Sequence, residues 1–186
     1  MKLGKLTFSP TSDHPELLAP ATEDRASELG ESLWVTAIDA TLADTAAFCE
    51  AYDIGLDVSA NCVVVEAKRG DRVWYAACII LATDKVDVNG IVRKHLDARK
   101  LSFAPMDTAV ALTGMEYGGI TPVGLPADWP ILIDSAVMEH EKVIIGSGIR
   151  ASKILIPSSA LASLPNATVL DIKKPFKLKP HQSVGF

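Results

Sequence analysis

Cysteine and histidine are scarce in this chain of 186 residues. Cys49, Cys62 and Cys78 are the only cysteines, and His14, His95, His140 and His181 are scattered. Neither a Cys-x-x-Cys nor a His-x-x-x-His pair occurs, so the ligand spacings of zinc sites are missing, and no metal or other cofactor is expected. An odd cysteine count, with two of the three in apolar segments, points to reduced thiols packed as small hydrophobes rather than to disulfides. Long apolar runs are also missing. The longest, 73–82, is half of a bilayer-spanning helix, and residues 1–10 have no signal-peptide core. A cytoplasmic protein without membrane contact is expected. Basic charge is short as well: residues 1–60 hold 3 basic against 11 acidic groups, 61–171 hold 11 against 12, and only 172–186, with 4 against none, is basic. The net charge of −5 excludes the broad basic stripe of a nonspecific DNA binder but leaves room for a local RNA contact.

What is present suits one folded domain. Hydrophobic residues make up 48% and charged residues 22%, with 12 Gly and 11 Pro, enough apolar content to offset chain entropy. Residues 1–39 read as an arm with a short helix over 22–29 and an edge strand at 34–38. Residues 40–172 read as the domain proper, and 173–186 as a basic tail. Within the domain, Asp44 caps a helix that ends near Gly55. Residues 63–67 and 73–82 form a hairpin turning at Lys68-Arg69-Gly70-Asp71, whose second strand, apolar on both faces, belongs at the centre of a sheet. Asp87 caps a further helix with Ile91, Val92 and Leu96 inward, and another short helix starts at Asp107. Strands follow at 131–133, 142–145, 153–156 and 168–172, with a short helix capped by Ser158 or Ser159. This order predicts an α/β fold with a mixed, mainly antiparallel sheet surrounded by short helices.

Four features have enough chemistry to be site candidates. Arg93, Lys94 and Lys100 cluster around the helix after Asp87, either as a solvated face or as phosphate contacts. The segment from Thr113 to Gly124 packs four glycines and a proline into a dozen residues. It reads either as a structural turn or as a loop offering backbone N–H groups to a carbonyl oxygen, and it matches neither the phosphate loop nor the dinucleotide fingerprint. Gly146-Ser147-Gly148 forms a second glycine corner. Ser147 lacks an identifiable base and the G-x-S-x-G frame, which leaves a tight turn beside the nucleophile reading. Asp134 is placed either as a general base or as the cap of the next helix.

The Tyr117-Gly118-Gly119-Ile120-Thr121-Pro122-Val123-Gly124 loop, lying between the Val/Ile hairpin and Ile131-Leu132-Ile133-Asp134, with Gly148 and Ala167-Thr168-Val169-Leu170-Asp171-Ile172 following, resembles the YbaK/prolyl-tRNA-synthetase-associated editing domain family over residues 40–172. The resemblance implies a trans-acting aminoacyl-tRNA deacylase that hydrolyses the ester of mischarged tRNA, of the Ala- or Cys-tRNA(Pro) type, without a metal. It implies aminoacyl-tRNA as partner, and prolyl-tRNA synthetase as a second one. Gly118 and Gly119 would then supply backbone contacts, Thr121, Pro122 and Gly124 would shape the pocket, and Gly148 with Ser147 and Asp134 would line its other side. One position departs. Where such proteins carry a lysine opening the first hairpin strand, this chain has Asn61, which donates a hydrogen bond but carries no charge. A noncatalytic module that binds aminoacyl-tRNA or a protein partner is therefore the alternative, and a small-molecule binder or hydrolase is the third reading. The oligomeric state is not encoded in any of these features.

Overall fold

Strands supply more of the structure than α-helices do, as the β-branched runs lead one to expect. The computed structural model describes residues 1–29 and 33–175. Its elements are β1 (Lys2–Leu3), β2 (Leu6–Thr7), β3 (Ser9–Pro10), α1 (Pro20–Leu29), β4 (Trp34–Ala37) and α2 (Thr45–Tyr52), followed by the long hairpin β5 (Ala60–Arg69) and β6 (Arg72–Leu81). After the hairpin come α3 (Arg93–His95), β7 (Lys100–Phe103), α4 (Met106–Thr113), β8 (Ile131–Asp134), β9 (Lys142–Gly146), β10 (Ser152–Pro157), α5 (Ser158–Ala162) and β11 (Ala167–Leu170). One sheet has the order β3-β4-β10-β9 and is antiparallel throughout. The other runs β11-β8-β6-β5-β7, with β8 parallel to both β6 and β11 and the remaining pairs antiparallel. The mixed, mainly antiparallel α/β fold is as expected, with β6 at the centre of its sheet.

The two sheets face each other, and period-two alternation sorts their side chains. Ala60 and Val64 of β5, Ala77, Ile79 and Leu81 of β6, Val143 and Ile145 of β9, and Ile154 and Ile156 of β10 share the central core. The opposite faces are also covered. Val65, Ala67, Ala76, Cys78 and Ile80 lie under Val86, Val88, Val92 and Ile172. On the other sheet, Ile144 and Leu155 lie under Leu6, Phe8, Phe48 and Cys49. Burial on both faces explains why β6 and β10 are nearly continuous apolar runs.

Three expectations need correction. Residues 1–39 are not an arm: Leu18, Ala19 and Ala26 enter the central core with Leu33 and Val35, and β4 is interior to its sheet because β3 pairs along its outer side. Apolar side chains too dispersed to announce a core find one against the strands of the two sheets. The helix after Asp87 is instead a π-turn over Val88–Val92 running into α3, because the Asp87 carboxylate accepts from Gly90 N–H and Ile91 N–H while Val92 N–H reaches back to the Asp87 carbonyl. The residue that opens α5 is Pro157, not a capping serine, and the Ser158 hydroxyl donates instead to the Val137 and His140 carbonyls. The start of the basic tail docks through Lys174 N–H to the Lys85 carbonyl, and its remainder, from 176 on, lies outside the described residues. Among the described residues no helix is long and apolar enough to cross a membrane.

Asp134 caps the 3-10 turn Ser135–Glu139, accepting from Ala136 N–H at 3.0 Å through Oδ1. Its Oδ2 accepts from Ile172 N–H at 2.9 Å and Lys173 N–H at 3.1 Å. This fully buried carboxylate bolts the C-terminal strand segment to β8. Replacing it leaves three backbone donors, two of them buried, without their acceptor, so Asp134→Ala is expected to lower the unfolding free energy by about 3 kcal/mol. A chemical denaturation curve checks this, and an unmoved midpoint would remove the bolt.

Candidate functional site

Among the described residues the backbones of the two sheets are bridged at one place, where Ser59 and Ile144 form an isolated parallel bridge. Beyond it β5 and β9 part, and a cleft of about 560 Å³ opens between them, walled on one side by the start of α2 and on another by Tyr117, Gly118 and Ile120. β9 is an edge strand. β5 pairs with β7 only from Val65 onward, so its first residues present an unpaired edge. Val64 turns its carbonyl away from β6 to accept from Ala104 N–H. By strand alternation the backbone groups of Ala60 and Cys62 point the same way, into the space that no strand fills.

Several side chains finish the walls. Asp44 caps α2, its Oδ1 accepting from Ala46 N–H and Ala47 N–H. The Thr45 hydroxyl donates to Asn61 Oδ1 at 2.7 Å, which leaves the Asn61 amide N–H₂ without an acceptor among the described residues. The Ser59 hydroxyl is already engaged by Cys49 Sγ at 3.3 Å and the Gly55 carbonyl. Burial, and secondarily the Cys78 thiol, push the Cys62 thiol well above a free cysteine; burial alone lifts Cys78 to about 12. No activated nucleophile emerges from this set.

The residues singled out by sequence separate into two groups. Asn61 and Gly118 line the cleft, and the Gly118 amide finds no acceptor among the described residues. Gly119, by contrast, gives its N–H to the Glu116 carbonyl and its carbonyl to Gly148 N–H. A Cβ there would sit 2.5 Å from the Ile149 carbonyl oxygen, so its lack of a side chain serves backbone packing. Gly148, at φ +88°, lies against Ala19 and Thr22 of the N-terminal segment. Thr121 and Pro122 are buried and Gly124 abuts Ala21; none of the three lines the cleft. Ser147 is fully buried, its hydroxyl shared with Ser152 Oγ at 2.7 Å and with the Ile149 and Ser152 carbonyls. Asp134 is the structural bolt described above. Arg93 and Lys94 line a separate hollow with Arg69 and Arg99, and Lys100 sits on the edge strand β7, opposite Lys68.

Two basic residues escaped the sequence reading. Arg150 clamps the glycine loop: its guanidinium donates to the Tyr117 carbonyl at 3.0 Å and the Ala40 carbonyl at 3.2 Å, while its N–H donates to Glu116 Oε2. Lys153, on β10, lines the cleft with only 7% of its surface exposed. No local motif marks Lys153, which is buried because distant parts of the chain cover both faces of its strand.

The family model for the aminoacyl-tRNA editing domain matches residues 39–164. The chain belongs to this family. Similar solved structures agree with the editing-domain fold. A protein provisionally described as a trans-editing enzyme for prolyl-tRNA synthetase has a TM-score of 0.72 at 19% identity, covering 85% of this chain and 99% of that one. The hypothetical protein APE2540 has 0.74 at 18% identity, over 83% and 99%. A scaffold protein from a computational epitope-grafting study has 0.73 at 20% identity, over 84% and 97%. At these identities the likeness is one of fold. Every residue lining the cleft falls inside the span matched by the editing-domain model.

The raised Cys62 thiol gives a simple check on the cleft wall. At pH 8 the folded protein is expected to react with iodoacetamide at Cys62 about tenfold or more slowly than a free cysteine does, with full reactivity in denaturant. Fast labelling of Cys62 in the folded state, located by peptide mass spectrometry, would contradict a thiol raised in this way.

Proposed function

We propose that the protein is a trans-acting aminoacyl-tRNA deacylase that hydrolyses the ester of a mischarged tRNA, with the aminoacylated 3′ end held in the cleft between β5 and β9. The observation carrying this reading is that the editing-domain match encloses the whole cleft. Its volume falls among those of small-ligand sites. Its walls, which include Ala43, Ala46, Phe48, Val63 and Ile144, suit a small apolar aminoacyl group such as alanine or cysteine. The open backbone edge at Ala60 and Cys62 offers carbonyls to the substrate's α-ammonium, and Asn61 and Gly118 offer N–H donors to its oxygens. An aminoacyl ester is activated already, so a positioned water and donors aimed at the developing oxyanion suffice, and an engaged Ser59 or a protonated Cys62 is no obstacle.

The hollow formed by Arg69, Arg93, Lys94 and Arg99 lies at the other end of β5, eight strand residues or ~26 Å from Asn61. That reach suits contact with phosphates of the same tRNA farther from its 3′ end. Prolyl-tRNA synthetase, as the source of mischarged tRNA(Pro), is the protein partner consistent with this reading. The second reading, binding without turnover, is favoured by the neutral Asn61.

Incubation with Ala-tRNA(Pro) and Cys-tRNA(Pro) is expected to speed ester loss at least about tenfold over buffer, equivalent to ~1.4 kcal/mol of barrier. Retention of these tRNAs without acceleration, by protein shown to be folded, would establish the binding module instead. The Arg93→Ala, Lys94→Ala double variant is expected to reduce the slope of log affinity against log salt by about 1 to 2. An unchanged slope would take these two residues off the tRNA path.

A further inference from the structure

A positive charge beside the ester carbonyl would stabilise its developing oxyanion beyond what neutral N–H donors give, and Asn61 brings none. Among the described residues lining it, Lys153 alone carries a positive charge. Strand alternation puts Lys153 on the same face of β10 as Leu155, beneath α2. Its stem lies by Phe48, whose ring centroid is 5.2 Å from Nζ. Nζ donates to the Ala43 carbonyl at 3.0 Å, and both Phe48 and Ala43 line the cleft. An ammonium has three N–H donors, and this is the one hydrogen bond Nζ makes among the described residues. It forms no ion pair there either. The charged and titratable groups around it are Cys49 and Asp44 on the α2 side and Arg150 ahead of β10, with the protonated Cys62 across the cleft. Asp44 uses its Oδ1 for the α2 cap and makes no ion pair with Lys153 among the described residues. A buried cation with unspent donors, facing a cavity instead of a carboxylate, costs stability and is placed for a ligand.

Resting on the deacylase reading, we infer that Lys153 is the oxyanion-stabilising cation of the cleft, holding the carbonyl oxygen of the aminoacyl ester. The aminoacyl group is the outermost end of the tRNA and enters deepest, so its carbonyl meets a nine-tenths-buried ammonium while the last phosphodiester stays one ribose nearer the mouth. In the step, a water oxygen bonds to the carbonyl carbon and the C=O π pair moves onto the carbonyl oxygen, beside Nζ. Collapse of that intermediate breaks the carbon–oxygen bond to the ribose. The departing ribose oxygen takes the proton that the water gives up, so one water is consumed and the free amino acid and tRNA are released. Lys153 keeps its proton throughout.

Burial, the largest influence on Lys153, lowers its proton affinity below the ordinary value of 10.5, and the neighbouring Arg150 adds to this while Cys49 and Asp44 oppose it. The folded protein therefore carries a destabilising cation at every pH below the lowered value, and that cost fades as pH rises from there to 10.5. Lys153→Met should melt no lower than wild type near neutrality, with any gain shrinking at high pH, which separates a catalytic loss from a folding loss. In single-turnover hydrolysis of Ala-tRNA(Pro), Lys153→Met is expected to lose about 100-fold in the chemical step with KM within about threefold, and Lys153→Arg to keep more of the rate. The wild-type rate, corrected for buffer hydrolysis, should fall as pH rises through the lysine's ionisation. A Lys153→Met rate within twofold of wild type, a loss confined to KM, or a rate that rises through that ionisation would overturn the assignment. Binding supplies the independent arm, with an adenosine phosphonate ester as tetrahedral-anion probe and the 3′-amide of alanine as its neutral counterpart. Wild type should prefer the phosphonate and Lys153→Met should lose that preference. If wild type shows this preference yet hydrolyses nothing, the deacylase reading falls and the cation site stands; no difference between wild type and Lys153→Met overturns the cation site.

Discussion

The bridge between Ser59 and Ile144 is the constraint on which the rest of the molecule turns. It brings two sheets within hydrogen-bonding distance at one point and lets them diverge on either side. Side chains of both sheets fill the space where they face each other. Where β5 and β9 part they leave two strand edges and a cleft. An open edge in a folded protein is ordinarily a hazard, since its backbone groups recruit other strands. Here α2 and the glycine loop stand around the edge and restrict what can reach it to something small.

The glycine loop does its work by close packing. Gly119 and Gly148 exchange a hydrogen bond, Gly146 has the Gly119 carbonyl where a Cβ would be, and Arg150 ties Tyr117 to Ala40 across the cleft wall. The result is a stiff wall that presents Gly118 and Ile120 while hiding Thr121 to Gly124. Stiffness matters for a site that lacks a nucleophile, because positioning and fixed dipoles are then what remains to lower a barrier.

The fold was largely legible because its signals are local. The alternation in Ala60–Arg69 and Arg72–Leu81, the cap at Asp44 and the apolar run at Ile131–Asp134 each specify one element from adjacent residues. The N-terminal segment was not legible as part of the body, because Leu18, Ala26 and Val35 acquire their meaning only from strands more than a hundred positions away. The site was legible in one residue type and obscure in another. Asn61 stands out through the motif around it, whereas Lys153 lies in an ordinary-looking strand, Ser-Lys-Ile-Leu-Ile-Pro, with no motif to mark it.

The amino-acid sequence by itself determined the strand periods, the turn at Gly70-Asp71, the caps at Asp44 and Asp87 and the absence of zinc-ligand spacings, since each depends on residues within a few positions of one another. Tertiary structure decided which of the many polar residues meet. Ser147 and Asp134 became internal fasteners and Lys153 a cleft residue because strand pairing selected the face each one occupies. No local pattern carries that choice: the side to which a strand turns a lysine depends on what covers its two faces, and those covers come from distant parts of the chain.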